Sequence, residues 1–471
     1  MEKLDFGRFG LYIVQALKGN IVSPFLVTLI CGIFLGIIVL LLIDILKLKN
    51  KYFKVLLALL IAVTPNISVT LSFFYCSDAY ILAMLFATLS VWLLDKYEKN
   101  KWIIVLSILL IAFSMSMYQT YIAVAMFLFI IVLILDLLNK KDIKYVIKKT
   151  FKYILVCILG IVLYVLLVKL SLFITGIPVS EYSGGNKLGI DVILQAPNHI
   201  KEAYADFYNY FISAKMISPS GMWHINLIHI SMLIIFVVSL SYVTVKNKLY
   251  KQLPFIILLL VLLPIGCGII ELMIPTVDIH ILMGCSYVLL FPFIFKAVEL
   301  VNLEDKKVKQ NIYNILKNFT IIFTVIMLWI YLLMDNASYL AMDKRQKQTV
   351  SCMNRIITQV EQLDEYHYGM PLLIVGLLED NDYFKVTNSR FDEQVIEKYT
   401  WGFVSTGSLI WEGNNYSWER FFYEYMGINV KVYTEEYGKP LLETDEYKSM
   451  NVYPEKDSIK IINNVVIIKL K

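Results

Sequence analysis

Charged residues are scarce in this chain of 471 residues. Only 17% of the residues are charged, compared with about a quarter in soluble domains. In contrast, 58% are hydrophobic and the mean hydropathy is +0.66. This composition excludes an ordinary soluble protein and indicates a polytopic membrane protein. The first 20 residues also lack the apolar stretch of a secretory signal peptide.

The residues that build disulfide frameworks and metal centres are few and dispersed. No CxxC pair and no Cys/His cluster occurs among the six cysteines and five histidines. This excludes a disulfide framework and a zinc site, and it argues against a metal centre built on imidazole. Neither a GxGxxG nor a Walker sequence is present, so neither of these phosphate-binding loops is expected.

Long apolar runs are what the sequence has in abundance. About 17 to 25 apolar residues cross the bilayer core, and ten runs fit that requirement once the run 102–138 is divided at Tyr118 and Gln119. They cover 21–46, 55–75, 79–94, 102–118, 119–138, 153–174, 226–245, 254–271, 279–296 and 318–335. The sequence therefore predicts an all-α membrane domain over residues 21–335.

Lysine placement predicts the orientation of these helices. About 20 lysines and no arginine lie in five connections on one side, whereas the alternate connections and the first 20 residues hold about six basic residues. The lysine-rich connections are 47–54, 95–101, 139–152, 246–252 and 298–317. The positive-inside rule assigns this side to the cytoplasm. We therefore expect the outer face to carry residues 1–20, the turns at 76–78 and 118–119, the loop 175–225 and everything after 336.

A single carboxylate, Asp78, interrupts the apolar sequence "YCSDAYILAML". An ionisable group inside a bilayer costs a few kcal/mol, so we expect Asp78 at the outer face. One interpretation is that Ser77 or Asp78 caps a helix that starts at Ala79. The other is that the carboxylate activates an acceptor hydroxyl or holds a divalent cation. The sequence alone leaves both open.

Other polar residues are expected on the same face. Arg8, the only arginine of the first 335 residues, suits a bidentate grip on a phosphate, or else a surface ion pair with Asp5. The Gln119 amide pairs naturally with sugar hydroxyls or phosphate oxygens. Tyr118 and Tyr121 are either interface anchors or part of the same site. Further polar residues predicted on this face are Glu181, Asp191, His224, Glu271 and Asp278.

Two segments of the membrane domain carry structural signals. Pro65 and Asn66 predict a kink near mid-membrane, either because the helix lines a cavity or because small polar residues pack helices together. The stretch 193–216 predicts an amphipathic helix along the interface, which forms a lipid-tail groove or a structural lid. The residues predicted to share one side of it are Ile200, Ala203, Tyr204, Phe207, Tyr208 and Phe211.

The hydropathy falls after residue 335, and residues 336–471 are predicted to form a small extracytoplasmic α/β domain. Strands are expected at 371–377, 428–433 and 463–470. A helix is expected over 345–363, with one apolar face made of Val350, Met353, Ile356, Ile357 and Val360.

Four stretches resemble, in this order, the bacterial glucosyltransferase II (GtrII-like) family. They are "GRFGLYIVQALKGNIVSP", "YCSDAYILAMLFATLSVWLL", "MYQTYIAVAMFLFIIVLILDLL" and "VYPEKDSIKIINNVVIIKL". The family comprises O-antigen serotype-converting glucosyltransferases and their relatives, which have the GT-C superfold. The resemblance covers most of the chain and implies a GT-C-like membrane domain of about nine to ten helices.

The resemblance also implies an activity. A glucosyl (hexosyl) unit would pass from an undecaprenyl-phosphate-linked sugar to a cell-envelope glycan, at the outer face of the bacterial cytoplasmic membrane and without a nucleotide sugar. The partners implied are this donor, the glycan acceptor and membrane lipid, and no nucleic acid. A divalent cation stays open. A carboxylate would deprotonate the acceptor hydroxyl while a basic group steadies the departing phosphate.

The resemblance assigns these roles to particular residues. Arg8 matches the family's Gly-Arg arginine and is the expected phosphate ligand. Asp78 matches the aspartate that opens a helix after the second apolar hairpin. Tyr118, Gln119 and Tyr121 match the tyrosine-glutamine turn and are expected to bind substrate.

The start of the chain departs from the family pattern. Members usually begin with one more transmembrane helix and an outer loop bearing an acidic pair, whereas this chain has only Glu2 and Asp5 ahead of the Gly-Arg element. We therefore expect the first transmembrane helix to be missing and residues 1–20 to be the end of an outer loop. Asp78 is then the leading candidate for the catalytic carboxylate, and Asp5 is the second.

Two other classes of protein stay open at this point. A transporter or flippase of lipid-linked saccharides would carry polar groups on discontinuous helices at the membrane midplane, usually within repeats; the sequence has no clear repeat. An inactive, truncated membrane scaffold, whose α/β tail binds cell-wall partners, is the other alternative.

Overall fold

The structure is a computed structural model that describes residues 4–19, 23–178, 196–221, 223–273, 279, 281–302, 307–376, 381 and 415–471. It divides into two compact units, Met1–Leu332 and Leu333–Lys471. In the first unit lie α1 (Phe9–Leu17), α2 (Pro24–Leu46), α3 (Lys51–Val63), α4 (Pro65–Ser72), α5 (Ser77–Lys96), α6 (Lys101–Met117), α7 (Ile122–Leu138), α8 (Ile143–Thr175), α9 (Ile200–Phe211), α10 (Ile225–Lys246), α11 (Leu253–Cys267), α12 (Ile269–Met273), α13 (Cys285–Val288) and α14 (Leu290–Val301). Helix α15 (Lys307–Glu361) has residues in both units.

Within the described residues, eight helical stretches are long and apolar enough to cross a membrane. They are Pro24–Leu46, Lys51–Ser72, Ser77–Lys96, Gln119–Leu138, Ile143–Thr175, Ile225–Lys246, Ile281–Val301 and Asn311–Glu361. Two shorter apolar helices are Lys101–Met117 and Leu253–Cys267. Each of the ten apolar runs in the sequence coincides with one of these stretches. The prediction of an all-α polytopic membrane domain is therefore confirmed.

Several membrane helices begin at residues suited to a first turn. The Asn50 side chain accepts a hydrogen bond from the Tyr52 N–H at 2.9 Å, and Asn100 accepts one from the Trp102 N–H at 3.0 Å. Each amide oxygen satisfies an N–H that has no partner inside the helix. Pro24 stands in the first turn of α2, where its missing N–H costs nothing.

The kink predicted at Pro65 is present as a break between α3 and α4. Thr64 has an extended backbone, because a residue before proline is excluded from the helical conformation. Asn66 follows, fully buried, and its Nδ2 donates to the Ile281 carbonyl at 2.7 Å. Its Oδ1 accepts a hydrogen bond from the Tyr210 hydroxyl at 2.8 Å. These contacts support the interpretation that polar residues pack the helices together, rather than the interpretation that the helix lines a cavity.

The Tyr210 hydrogen bond continues as a chain of polar groups through the apolar core. The ring nitrogens of His229, on α10, lie 3.1 Å from the Tyr210 carbonyl and 2.9 Å from the Tyr331 hydroxyl. Asn66, Tyr210, His229 and Tyr331 are each fully buried. Since a buried polar group without a partner is costly, these mutual contacts fix the relative positions of four helices.

The α9 helix is present, and the residues predicted to share one side of it have different surroundings. Ala203 and Phe211 are buried within the protein, whereas Tyr204 and Tyr208 are 38% and 55% exposed. Tyr210 takes an inward position because its hydroxyl is bound to Asn66. Close packing on the start of α12 sets the rotation: a Cβ at Gly268 would lie 2.9 Å from the Ala203 Cβ.

Charged groups at the lysine-rich end of the bundle are paired around the buried Lys149 and Asp136. The Lys149 ammonium lies 2.6 Å from an Asp95 oxygen and 2.8 Å from an Asp136 oxygen, and Lys141 lies 2.8 Å from the other Asp136 oxygen. These residues connect α5, α7 and α8. Because removing one member would leave a buried charge unpaired, the cluster acts as a structural anchor.

The second unit contains a four-stranded sheet of order β2-β1-β4-β3, formed by β1 (Leu372–Val375), β2 (Val432–Tyr433), β3 (Ile459–Ile462) and β4 (Val465–Lys469). Strand β1 is parallel to β2 and β4, and β3 pairs antiparallel with β4. Three of these strands fall within the predicted segments. The β3 strand was missed; it joins β4 through Asn463 and Asn464, which both have positive φ, as a tight hairpin turn requires.

Helices complete the second unit. The predicted apolar face of residues 345–363 is confirmed, since Met353, Ile356, Ile357 and Val360 are buried beside strand residues. Further helices are α16 (Asn415–Phe421), α17 (Glu435–Leu442) and α18 (Asp445–Lys448). The predicted boundary at 335/336 and the extracytoplasmic location of this unit stay predictions.

Candidate active site

The α1 helix lies across the start of α5 and brings charged side chains to it from both of its ends. A turn of residues 4–7 precedes α1, closed by a hydrogen bond from the Gly7 N–H to the Leu4 carbonyl at 2.9 Å. Arg8 follows as the residue that begins α1, and Lys18 ends it. Midway, the Gln15 Nε2 donates to the Tyr75 carbonyl just before α5, at 3.4 Å.

The turn of residues 4–7 is held by two side chains from other helices. The Gln119 Nε2 donates to the Phe6 carbonyl at 2.8 Å and to the Tyr164 hydroxyl at 2.9 Å. The Tyr164 hydroxyl in turn donates to the Gly7 carbonyl at 3.3 Å. Both amide hydrogens of Gln119 are therefore used to position the turn, and its substrate-binding role stays a prediction.

Arg8 rests on a set of tyrosine rings that we call the tyrosine platform, made of Tyr80, Tyr118 and Tyr121. The guanidinium carbon lies 4.7 Å from the centre of the Tyr118 ring, and Nη1 donates to the Tyr80 hydroxyl at 3.4 Å. The Tyr80 and Tyr118 rings stack at 4.7 Å, and Tyr121 meets Tyr118 edge-on at 6.0 Å. The structure thus brings together Arg8, Tyr118 and Tyr121, as the sequence predicted, and adds Tyr80.

Among the described residues, the neighbours of the Arg8 guanidinium are aromatic rather than acidic. Among the described residues no carboxylate lies within ion-pair distance of its guanidinium, so the alternative ion pair with Asp5 is not formed. Its Nε is buried and has no hydrogen-bond partner in the same set. A half-buried guanidinium with unused donors is suited to binding an anion with two oxygens.

Asp78 lies in the first turn of α5, but not as the predicted cap. The helix begins at Ser77, two residues earlier than expected, and Cys76 precedes it without a capping hydrogen bond from its side chain. The earlier start follows from the Tyr80 N–H, which donates to the Cys76 carbonyl at 3.0 Å. The capping interpretation of Ser77 and Asp78 was therefore wrong.

Asp78 instead forms a buried ion pair with Lys18. The Lys18 Nζ lies 2.6 Å from the Asp78 Oδ2, and the two side chains are 9% and 2% exposed. The other carboxylate oxygen, Oδ1, has no hydrogen-bond partner among the described residues. Residues two apart on a helix point to opposite sides, so Asp78 and Tyr80 flank the first turn of α5.

The remaining predicted polar residues form no hydrogen bond or ion pair with Arg8 or Asp78 among the described residues, or they lie outside the description. Asp5 is half-buried within the turn that precedes Arg8. His224 is exposed at the start of α10, and Glu271 is buried in α12. Glu181, Asp191 and Asp278 are outside the described residues. No group of three or more His, Cys, Asp or Glu side chains suited to a metal ion occurs in the part of the chain that the structure describes.

Sequence reasoning missed three members of the site. Tyr80 stands in the same motif as Asp78, and its position two residues later was the available signal. Lys18 is one of few basic residues on the lysine-poor side, spaced from Arg8 by the length of one short helix. Tyr164 is an isolated tyrosine within the apolar α8, and no local pattern marks it.

Gly7 offers a test of how much the turn matters. It has φ +72°, and a Cβ there would lie 2.6 Å from the Tyr164 hydroxyl. We expect Gly7→Ala to lower the free energy of unfolding by about 1–3 kcal/mol and to displace Arg8. Gly19→Ala is the matched control, because Gly19 has φ +66° and open space around its Cβ position. Equal losses of thermal stability and activity in the two variants would show that only backbone strain matters.

The arrangement combines the elements of an anion-dependent group transfer. Arg8 presents unused donors on an aromatic surface, and the first turn of α5 presents N–H groups at the positive end of a 20-residue helix. Asp78 supplies a buried carboxylate with one free oxygen. Together they can hold a phosphate and accept a proton.

Comparison with known proteins gives one match. The family model described as "Glucosyl transferase GtrII" matches residues 1–291. No curated protein and no solved structure matches the chain. The matched range includes every residue of the cluster described above, from Arg8 to Tyr164.

Proposed function

The chain belongs to the GtrII glucosyl transferase family, and from this premise we propose that it moves a glucosyl unit from an undecaprenyl-phosphate-linked donor to a cell-envelope glycan. It is a multi-pass membrane glycosyltransferase. The donor, the acceptor and the side of the membrane are the proposal.

The position of the cluster along α5 supports reaction at the outer face. Helix α5 starts at the cluster and ends at Lys96, within the lysine-rich connection 95–101. Twenty residues rise about 30 Å, which is the thickness of the hydrocarbon core. This length supports a cluster and lysines at opposite membrane surfaces, and the positive-inside rule favours an extracytoplasmic cluster.

Arg8 on the tyrosine platform is the observation that carries the proposal. A phosphodiester between a lipid and a sugar presents two unbridged oxygens, which match the two-pronged guanidinium. The platform fixes the plane of the guanidinium and leaves Nε free. Binding there would place the phosphate against the first turn of α5, where the helix dipole adds to the attraction.

Transfer then requires one bond to form and one to break. The acceptor hydroxyl oxygen bonds to the anomeric carbon, and its proton passes to Asp78. The bond from the anomeric carbon to the phosphate oxygen breaks, and its electron pair leaves with the lipid phosphate. Arg8 and the α5 N–H groups stabilise the added negative charge. No nucleotide takes part.

The test is transfer of labelled glucose from undecaprenyl-phosphate-glucose to cell-envelope glycan, in membranes that contain the full chain. We expect labelled glycan and free undecaprenyl phosphate, with right-side-out vesicles active when both substrates are supplied outside. Membranes without the chain provide the control. Movement of intact lipid-linked sugar across the bilayer without transfer would favour a transporter, and the absence of both would favour a scaffold.

A further inference from the structure

The ion pair between Lys18 and Asp78 has a feature that helix packing alone does not explain. Both side chains are withdrawn from solvent. The Lys18 Nζ forms an ion pair with Oδ2 but no hydrogen bond among the described residues, and Oδ1 has no hydrogen-bond partner among them either. A buried acceptor left without a hydrogen bond costs free energy, so it needs a reason. A hydroxyl of the bound substrate would supply the missing hydrogen bond.

We propose that Lys18 is a positioning residue that holds Asp78 by Oδ2 and so presents Oδ1 to the acceptor hydroxyl. The proposal rests on the function proposed above, in which Asp78 takes the proton. It goes beyond that function by stating which oxygen reacts and which residue orients it. Lys18 itself does not touch the reacting atoms.

The surroundings show why Lys18 can hold a fixed direction. Its backbone closes α1, with its N–H bound to the Gln15 carbonyl at 3.1 Å. The helix is packed tightly on α6, since a Cβ at Gly10 would overlap the Ser116 hydroxyl. Gln15 adds a hydrogen bond to the Tyr75 carbonyl. The ammonium is therefore anchored through a rigid helix rather than through a flexible loop.

The start of α5 is also packed against α2. Ser77, the preceding residue, has its hydroxyl 3.8 Å from the Cys31 sulfur on α2. A carboxylate with free rotation would exchange its two oxygens, but a 2.6 Å contact to a buried ammonium selects one orientation. A base held in one orientation by a third group is the arrangement that catalytic triads use.

The experiment compares Lys18→Met, Lys18→Arg and the double variant Lys18→Met/Asp78→Asn in the full chain, by transfer kinetics and thermal unfolding. We expect Lys18→Met to lower kcat by about 10- to 100-fold, because a small misplacement of a reacting group has effects of that size. The donor KM should stay within about twofold, and Lys18→Arg should restore part of kcat because it keeps the positive charge. Lys96→Met, which breaks the half-exposed pair with Asp44, serves as the control.

The double variant separates positioning from stability. Removing both charges restores packing, so its Tm should return towards that of the unaltered chain, while its activity should be no lower than that of Asp78→Asn alone. Recovery of both Tm and activity would overturn the proposal, since the pair would then be purely structural. A raised donor KM with unchanged kcat would also overturn it, because Lys18 would then bind the donor. Full activity of Asp78→Asn would contradict the role of Asp78 as the base, and with it the proposed function. Full activity of Lys18→Met beside an inactive Asp78→Asn would contradict only the positioning role of Lys18.

Discussion

Asp78→Asn is expected to lower the transfer rate by about 10²- to 10⁴-fold, the range found when a general base is removed. Asparagine has nearly the same shape, but its amide accepts no proton under these conditions. Donor binding should change little, since Arg8 rather than Asp78 is the proposed phosphate ligand. The measurement is kcat and donor KM in purified full-length chain, together with a test that the variant folds.

Asp44→Asn is the matched control for this loss. Asp44 is also paired with a lysine, Lys96, at 2.8 Å, but it is 51% exposed and lies at the lysine-rich end of α2. It should keep the full rate. Equal rates in the Asp78 variant and the unaltered chain would remove Asp78 from the mechanism and return attention to Asp5.

Arg8→Gln is expected to raise the donor KM and to lower kcat, with a combined loss of about 10²- to 10³-fold in kcat/KM. The guanidinium would bind the phosphate before and during the departure of the lipid, so its removal affects both parameters. Arg8→Lys keeps the charge but loses the planar fork and most of the contact with the Tyr118 ring. We therefore expect Lys to recover only part of the loss.

Arg420→Gln gives the comparison for the arginine. Arg420 is in the second unit and forms an exposed pair with Glu424 at 2.6 Å, four residues further along the chain. A loss of kcat/KM in Arg420→Gln would indicate that removing any positive charge lowers activity, and not specifically the charge of Arg8. A normal donor KM in Arg8→Gln would show that the phosphate is bound elsewhere, and the proposal built on the tyrosine platform would fall.

Much of the fold was predictable because its signals are local. An apolar run long enough to cross a bilayer forces a helix, because every backbone polar group must be satisfied within the segment. The face of α9 was not predictable in the same way. Tyr210 is turned inward by Asn66, which lies 144 residues earlier in the chain, and nothing near Tyr210 in the sequence announces that partner.

The residues of the candidate site likewise divide into those that the sequence could select and those that depend on contacts between distant segments. Tyr118 and Tyr121 are close in sequence, and Arg8 is a rare residue on its side of the membrane, so composition and spacing selected them. The partner of Asp78 was not accessible to such reasoning, because the Lys18 contact depends on how α1 crosses α5. The predicted cap failed for a related reason: the turn before α5 supplies backbone partners that start the helix at Ser77.

The order of the strands in the second unit has a consequence for how the protein is made. Strand β4 lies between β1 and β3, and its residues leave the ribosome after those of every other strand. Strands β1 and β2 can pair earlier, but β3 reaches the sheet only through β4. The sheet is therefore completed after residue 469 has emerged. Until then β1 keeps one edge unpaired, and during this interval a chaperone can bind that edge.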